Sequence, residues 1–198
     1  MLRTFKPMAR LNLTVPTLKG LALTGLAFTA WVLAPMAAVA GQCPDYLNIK
    51  LRKLHSQESV DLCELTQGKP VLLVNTASNC GFTPQFKALE ALHKDYRERG
   101  LVVIGFPSDD FFQEENQEKD TAKVCYINYG VTFTMVATSA VRGSDVNPVF
   151  AYLGQQAGAP KWNFYKYLVS GDGKQVQSFN SRVKPDSDEL IKAIESVL

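Results

Sequence analysis

The chain is short of the residues that hold metals. Its two histidines, His55 and His93, stand far from each other and lack ligand-like neighbours, so no zinc or copper site is expected. No C-x-x-C pair occurs among Cys43, Cys63, Cys80 and Cys125, which removes the usual dithiol redox motif. Charge of one sign is lacking too. The 21 Lys and Arg against 19 Asp and Glu give a formal +2, too small a basic field to hold nucleic acid. Repeats and low-complexity segments are absent, which excludes solenoid and disordered classes. What remains is 198 residues with 46% hydrophobic and 20% charged content, the balance of an ordinary globular chain with one core.

The first forty residues differ from the rest. They hold Arg3, Lys6, Arg10 and Lys19 but no Asp or Glu, then run apolar from Leu21 to Ala40, with Ala38 and Ala40 forming an A-x-A pattern before Gly41. This pattern reads as a signal peptide over 1–40, cleaved to leave one domain over 41–198. Retention as a membrane anchor is the alternative, because the run approaches the ~20 residues that a bilayer needs. Thr24, Gly25, Thr29 and Pro35 interrupt that run. Gln42 before Cys43 does not fit a lipoprotein, and no Arg pair supports twin-arginine export. A periplasmic or otherwise exported protein, with no membrane span after cleavage, is expected. In that setting an even count of cysteines favours disulfides, and four cysteines allow three pairings.

Beyond Gly41 the pattern predicts short strands at Leu47–Leu51 and Ser59–Leu62 around the polar turn His55–Glu58. Val71–Thr76 is a continuous apolar run, typical of a buried parallel strand. The loop Ala77–Pro84 then leads into a helix with Phe86, Leu89, Leu92 and Tyr96 on one face, stopped at Gly100. A second buried strand follows at Leu101–Phe106, then an acidic loop and a helix over Glu118–Asn128. A short strand near Phe133–Ala137 and a helix over Pro148–Leu153 come next. Tyr165–Val169 and Gln175–Phe179 flank the turn Ser170–Lys174, and a last helix starts at Asp186 or Ser187. The order β-α-β-α, antiparallel hairpin, α is the thioredoxin arrangement. The expected class is therefore α/β, a thioredoxin-like fold with a central mixed sheet flanked by helices and an extra N-terminal β-hairpin.

Cys80 falls between a buried strand and a helix start, where free backbone N–H groups favour an anion. A thiolate there is a nucleophile. In Cys80-Gly-Phe-Thr83 the place of a second cysteine is taken by Thr, and a lone thiolate suits attack on a peroxide O–O bond. A buried structural cysteine is the plainer alternative. The string Asn75-Thr-Ala-Ser-Asn-Cys-Gly-Phe-Thr-Pro-Gln-Phe86 resembles the active-site signature of glutathione peroxidases. Gly105–Pro107, Tyr129–Phe133 and Lys161–Phe164 resemble that family's later blocks in the same order, and the likeness spans 47–198. The resemblance implies a thioredoxin fold, a peroxidatic Cys80, and reduction of hydrogen peroxide or organic and lipid hydroperoxides by a thiol donor, with no cofactor.

The same resemblance matches Trp162 and Asn163 to the family's Trp-Asn pair, whose N–H groups donate toward the thiolate. Without it, a packed Trp is the commoner role. The family's Phe-Pro-Cys-Asn-Gln-Phe aligns with Phe106-Pro-Ser-Asp-Asp-Phe111, placing its Cys on Ser108 and its Gln on Asp110. An ionised Asp only accepts hydrogen bonds and repels a thiolate. Asp110 is therefore protonated, turned elsewhere or differently employed, and a loop one residue short displaces Gln113 toward the site.

Peroxide attack leaves a sulfenic acid that a thiol must capture. Cys125, near the place of the resolving cysteine in thioredoxin-dependent family members, is the internal candidate. A buried packing cysteine is its plain alternative. Cys43 and Cys63 flank the first hairpin, whose antiparallel strands would set their ends face to face. That pairing is favoured as the structural disulfide. The expected donor is thioredoxin-like or a low-molecular-weight thiol, and glutathione lacks an obvious cationic cluster near Cys80. The short Leu153–Pro160 segment resembles monomeric, open-site members of the family. An exported thiol–disulfide oxidoreductase and a redox-sensing module are the competing readings.

Overall fold

The computed structural model describes residues 43–198, so the expected signal peptide over 1–40 lies outside the described residues. The described chain opens with a 3-10 turn, Asp45–Leu47, and the strand expected at Leu47–Leu51 begins later, at Lys50. Tyr46 and Leu47 are buried there, and Tyr46 stacks on Tyr152 with ring centroids 3.9 Å apart. Strands β1 (Lys50–Arg52) and β2 (Ser59–Asp61) then pair antiparallel, with Leu51 opposite Val60. Asp61 closes the hairpin and caps a short helix α1 (Leu62–Thr66) by accepting from the Glu64 amide. The start of α1 puts Cys63 beside Cys43, and the two form a disulfide with Cα atoms 5.7 Å apart.

The central sheet has five strands in the order β5-β4-β3-β6-β7. Strand β3 (Val71–Thr76) runs parallel to β4 (Val102–Pro107), which runs parallel to β5 (Thr134–Met135). On the other side β3 pairs antiparallel with β6 (Lys166–Val169), and β6 with β7 (Val176–Phe179). Every residue of β3 is buried because both faces of the sheet are covered. Leu72 and Val74 face a core built with Phe86, Leu89 and Leu92 of α2 (Gln85–Tyr96) and Leu190 and Ile194 of α5 (Asp188–Glu195). Val71 and Leu73 face the opposite core, with Val149, Phe150 and Leu153 of α4 (Pro148–Ala157). Burying each such side chain contributes about 1.5–3 kcal/mol, so the two cores dominate the stability. Gly105 of β4 sits opposite Met135, and a Cβ there would lie 2.3 Å from the Met135 sulfur. That close approach requires glycine.

The expected helix over 118–128 is two pieces. An α-helical part, α3 (Glu118–Ala122), widens into a π-helical stretch at Lys123–Asn128, with the Tyr129 amide donating to the Val124 carbonyl. A single insertion of this kind often sits at a functional position. Ser187, not Asp186, caps α5, accepting from the Leu190 amide. Among the described residues no helix is long and apolar enough to cross a membrane.

A candidate active site where three loops meet at Cys80

The site forms beyond the carboxyl ends of β3 and β4, where parallel strands leave their loops free to converge. Cys80 lies in the turn Ala77–Pro84, and α2 starts only at Gln85. Cys80 thus lies in the loop between β3 and α2, as the sequence predicts, with a full turn of chain between it and the helix. Its nearest donor is local: the Phe82 amide points at the sulfur at 3.4 Å. Thr83 stands where a C-x-x-C motif has its second sulfur, and it holds the turn together. Its hydroxyl donates to the Ala77 carbonyl at 2.8 Å and accepts from the Cys80 amide at 3.1 Å. Cys80 itself is 6% exposed, a narrow opening that suits a small reacting group.

The second loop, Ser108–Glu115, follows β4. Asp110 turns its carboxylate onto the backbone amides of Val141 and Arg142, at 2.6 and 3.0 Å. Arg142 answers by donating its guanidinium to the Asp110 carbonyl at 3.0 Å. Ser108 is buried, and its hydroxyl accepts from the Asp110 amide. The chain then reverses at Phe112, which adopts a left-handed φ of +58° and is 89% exposed. The reversal brings Gln113 inward. Its carbonyl accepts from the Asn79 amide at 2.8 Å, and its side-chain oxygen accepts from the Asn163 amide group at 3.0 Å. Gln113 thus joins the Cys80 loop to the Trp162–Asn163 segment, and the polar side chain that meets Asn163 is Gln113 rather than Asp110.

The third loop carries Trp162 and Asn163. Asn163 is fully buried, while Trp162 is 42% exposed and leans on Phe111 with ring centroids 5.4 Å apart. Asn75, a buried polar side chain near the end of the apolar β3 run, fixes this segment. Its Nδ2 donates to the Trp162 carbonyl, its Oδ1 accepts from the Tyr165 amide, and its carbonyl accepts from the Phe164 amide. A cavity of about 470 Å³ beside Phe82 is lined by Trp162, Tyr165, Asn180, Ser181 and Arg182.

Sequence reading missed Glu114 altogether. Its carboxylate accepts from the Ser78 and Thr121 hydroxyls and from the Glu115 amide. Ser78 belongs to the Cys80 turn and Thr121 to α3, so Glu114 ties together the two cysteine-bearing segments. Burial raises its pKa, outweighing the hydrogen bonds that favour the anion. Cys125 lies in the π-helical stretch, buried and unpaired. Burial first, and the Glu114 charge second, push its thiol up to about 12.

A family model for glutathione peroxidase matches residues 37–154. It spans the Cys80 turn and the Gln113 loop and ends before Trp162. "Glutathione peroxidase-like peroxiredoxin gpx1" of Schizosaccharomyces pombe is 46% identical over 138 residues, 67% of this chain and 86% of the relative. "Hydroperoxy fatty acid reductase gpx1" of Synechocystis sp. is 40% identical over 146 residues, 67% of this chain and 84% of the relative. The crystal structure of Trgpx in apo form superposes with a TM-score of 0.58 at 31% identity, covering 76% of this chain and 95% of that one. A secreted Mycobacterium tuberculosis disulfide oxidoreductase, 16% identical, superposes with a TM-score of 0.55 over 77% of this chain and 98% of its own. That last likeness speaks to the fold alone.

The chain belongs to the glutathione peroxidase family. It is a thiol-dependent peroxidase on a thioredoxin-like fold.

Proposed function

We propose that Cys80 is the peroxidatic residue, assisted by Gln113, Trp162 and Asn163. The observation that carries this reading is the Asn163–Gln113 hydrogen bond beside the Cys80 turn. Because the Gln113 oxygen is occupied, its NH₂ end remains free to donate. Donors at this place stabilise the charge that develops on sulfur and on the departing oxygen. The Cys80 thiolate attacks the terminal peroxide oxygen, the O–O bond breaks, and the alkoxide leaves as alcohol after taking a proton. Cys80 is then a sulfenic acid. The Cys125 thiol displaces hydroxide from that sulfur, water leaves, and a Cys80–Cys125 disulfide forms. A thioredoxin-like dithiol or a small thiol returns both sulfurs to the reduced state by exchange.

Organic hydroperoxides are the favoured substrates. The exposed ring of Phe112 and the Phe82, Trp162 and Tyr165 side of the neighbouring cavity offer apolar contact to an organic substrate, and a relative named for hydroperoxy fatty acid reduction points the same way. Export is supported by the acid-free, apolar N-terminal segment and by the Cys43–Cys63 disulfide, which persists in oxidising compartments. The short Leu153–Pro160 segment supports a monomer. The reading is tested by measuring Cys80 oxidation in the reduced protein with hydrogen peroxide and with an alkyl hydroperoxide. A Cys80→Ser variant that keeps the signal contradicts it.

A further inference from the structure

Lys166 opens β6 with its side chain fully buried. Its register partners are Val74 on β3 and Phe179 on β7. Alternation along the strand puts it on the same face as Leu168, above the core that contains Cys80, Phe86 and Phe164. Among the described residues no carboxylate pairs with it. An amine taken from water without a counter-charge is costly, and burial alone brings its pKa from 10.5 down to about 7. A methionine of similar shape would avoid that cost. What the lysine provides is one hydrogen bond: Nζ donates to the Phe164 carbonyl at 2.9 Å.

That carbonyl belongs to a strained residue. Phe164 has φ +63°, the left-handed region that a bulky side chain disfavours, and it directly follows Asn163. Such a conformation persists when its surroundings over-determine it. Here three buried side chains do so: Asn75 holds the Trp162 carbonyl and the Tyr165 amide, Ser181 holds the Asn163 carbonyl at 2.6 Å, and Lys166 holds the Phe164 carbonyl. We propose that Lys166 is a positioning residue for peroxide reduction, holding the left-handed turn at Phe164 so that the Asn163 amide reaches Gln113. This inference rests on the reading of Cys80, Gln113 and Asn163 as the reacting site.

The test uses the full mature chain in reduced form, with Lys166→Met, Lys166→Gln, Asn163→Ala, Cys80→Ser and the Lys166→Met/Asn163→Ala double variant. The second-order rate of Cys80 oxidation by hydrogen peroxide is read by stopped-flow tryptophan fluorescence, and folding by circular dichroism. Lys166→Met is expected to slow oxidation by at least about tenfold, the scale on which misplacement of a positioning group acts, while its Tm stays equal or rises. Lys166→Gln keeps a donor and is expected to recover part of the rate. In the Asn163→Ala background Lys166→Met is expected to change nothing further, because the group it positions is gone. A folded Lys166→Met protein at the wild-type rate overturns the inference, as does an equal loss with and without Asn163. Loss of fold in both lysine variants assigns Lys166 to stability and also overturns it. A wild-type rate in Asn163→Ala, or a persistent signal in Cys80→Ser, instead sinks the underlying site.

Discussion

The side-chain amide of Asn163 donates to the side-chain oxygen of Gln113 at 3.0 Å, across a sequence separation of 50 residues. This bond joins the loop after β4 to the loop before β6, and both to the Cys80 turn through the Gln113–Asn79 backbone bond. It sets the orientation of the Gln113 amide, whose remaining N–H groups are free to donate.

Gln113 and Asp110 should therefore behave differently. Gln113→Ala is expected to slow Cys80 oxidation by roughly 10²-fold, the scale of losing one preorganised donor. Asp110→Asn leaves the site's donors in place and is expected to stay near the wild-type rate, at a stability cost of about 1 kcal/mol from weaker bonds to the Val141 and Arg142 amides. Stopped-flow rates and urea denaturation of the two variants check this. The reverse order of effects contradicts the geometry.

The contrast also shows what a sequence conceals. The order of elements along the chain, the cysteine turn and the hairpin at Ser170–Lys174 are legible because buried strands are continuous apolar runs and turns have demanding residues. The Cys43–Cys63 pairing followed from the hairpin between them. Asp110 was aligned onto a catalytic place because alignment counts residues, whereas the chain reverses at a left-handed Phe112 that no propensity favours. Glu114 and Asn75 act through buried contacts with segments distant in sequence, which leave no local periodicity, and the burial of Lys166 comes from the sheet packed around it.

Cys125 is predicted to be unreactive until its helix opens. With its thiol pushed up to about 12 by burial and by Glu114, almost none is thiolate at neutral pH. In reduced native protein Cys80 is expected to take an alkylating reagent before Cys125, as read by peptide mass. Its capture of a sulfenic acid at Cys80 requires the π-helical stretch to unwind, since disulfide geometry is narrow. In Cys125→Ser the oxidised sulfur is expected to persist as sulfenic and then sulfinic acid. Fast alkylation of Cys125 in the folded, reduced state contradicts this picture.

The Cys43–Cys63 disulfide closes a loop over a sequence separation of 20 residues. Removing it with a double Cys→Ser substitution is expected to cost roughly 3 kcal/mol of stability by the chain-entropy estimate. The rate of Cys80 oxidation should remain, because neither cysteine belongs to the three converging loops. Denaturation midpoints and stopped-flow rates separate the two effects. A variant of intact stability but low peroxidase rate contradicts the division between structural and reacting sulfurs.

Burial of Lys166 also writes a pH signature into stability. Its pKa falls from 10.5 to about 7 on folding. Between those values the unfolded chain binds a proton that the folded chain does not, so stability rises with pH through that window. Below about 7 both states are protonated and the full cost of the buried charge remains. Lys166→Met is expected to be more stable than wild type near neutral pH, with the difference shrinking toward pH 10.5. Urea denaturation across that range checks it, and a difference independent of pH contradicts it.

The most direct test follows the sulfurs themselves. Reduced protein is mixed with hydrogen peroxide or an alkyl hydroperoxide, and quenched samples are read by intact mass alongside stopped-flow fluorescence. The account predicts a fast signal that Cys80→Ser abolishes, ending in the loss of two hydrogens that Cys125→Ser prevents. Oxidation no faster than that of an ordinary thiol, or a product mass unaffected by either substitution, contradicts it.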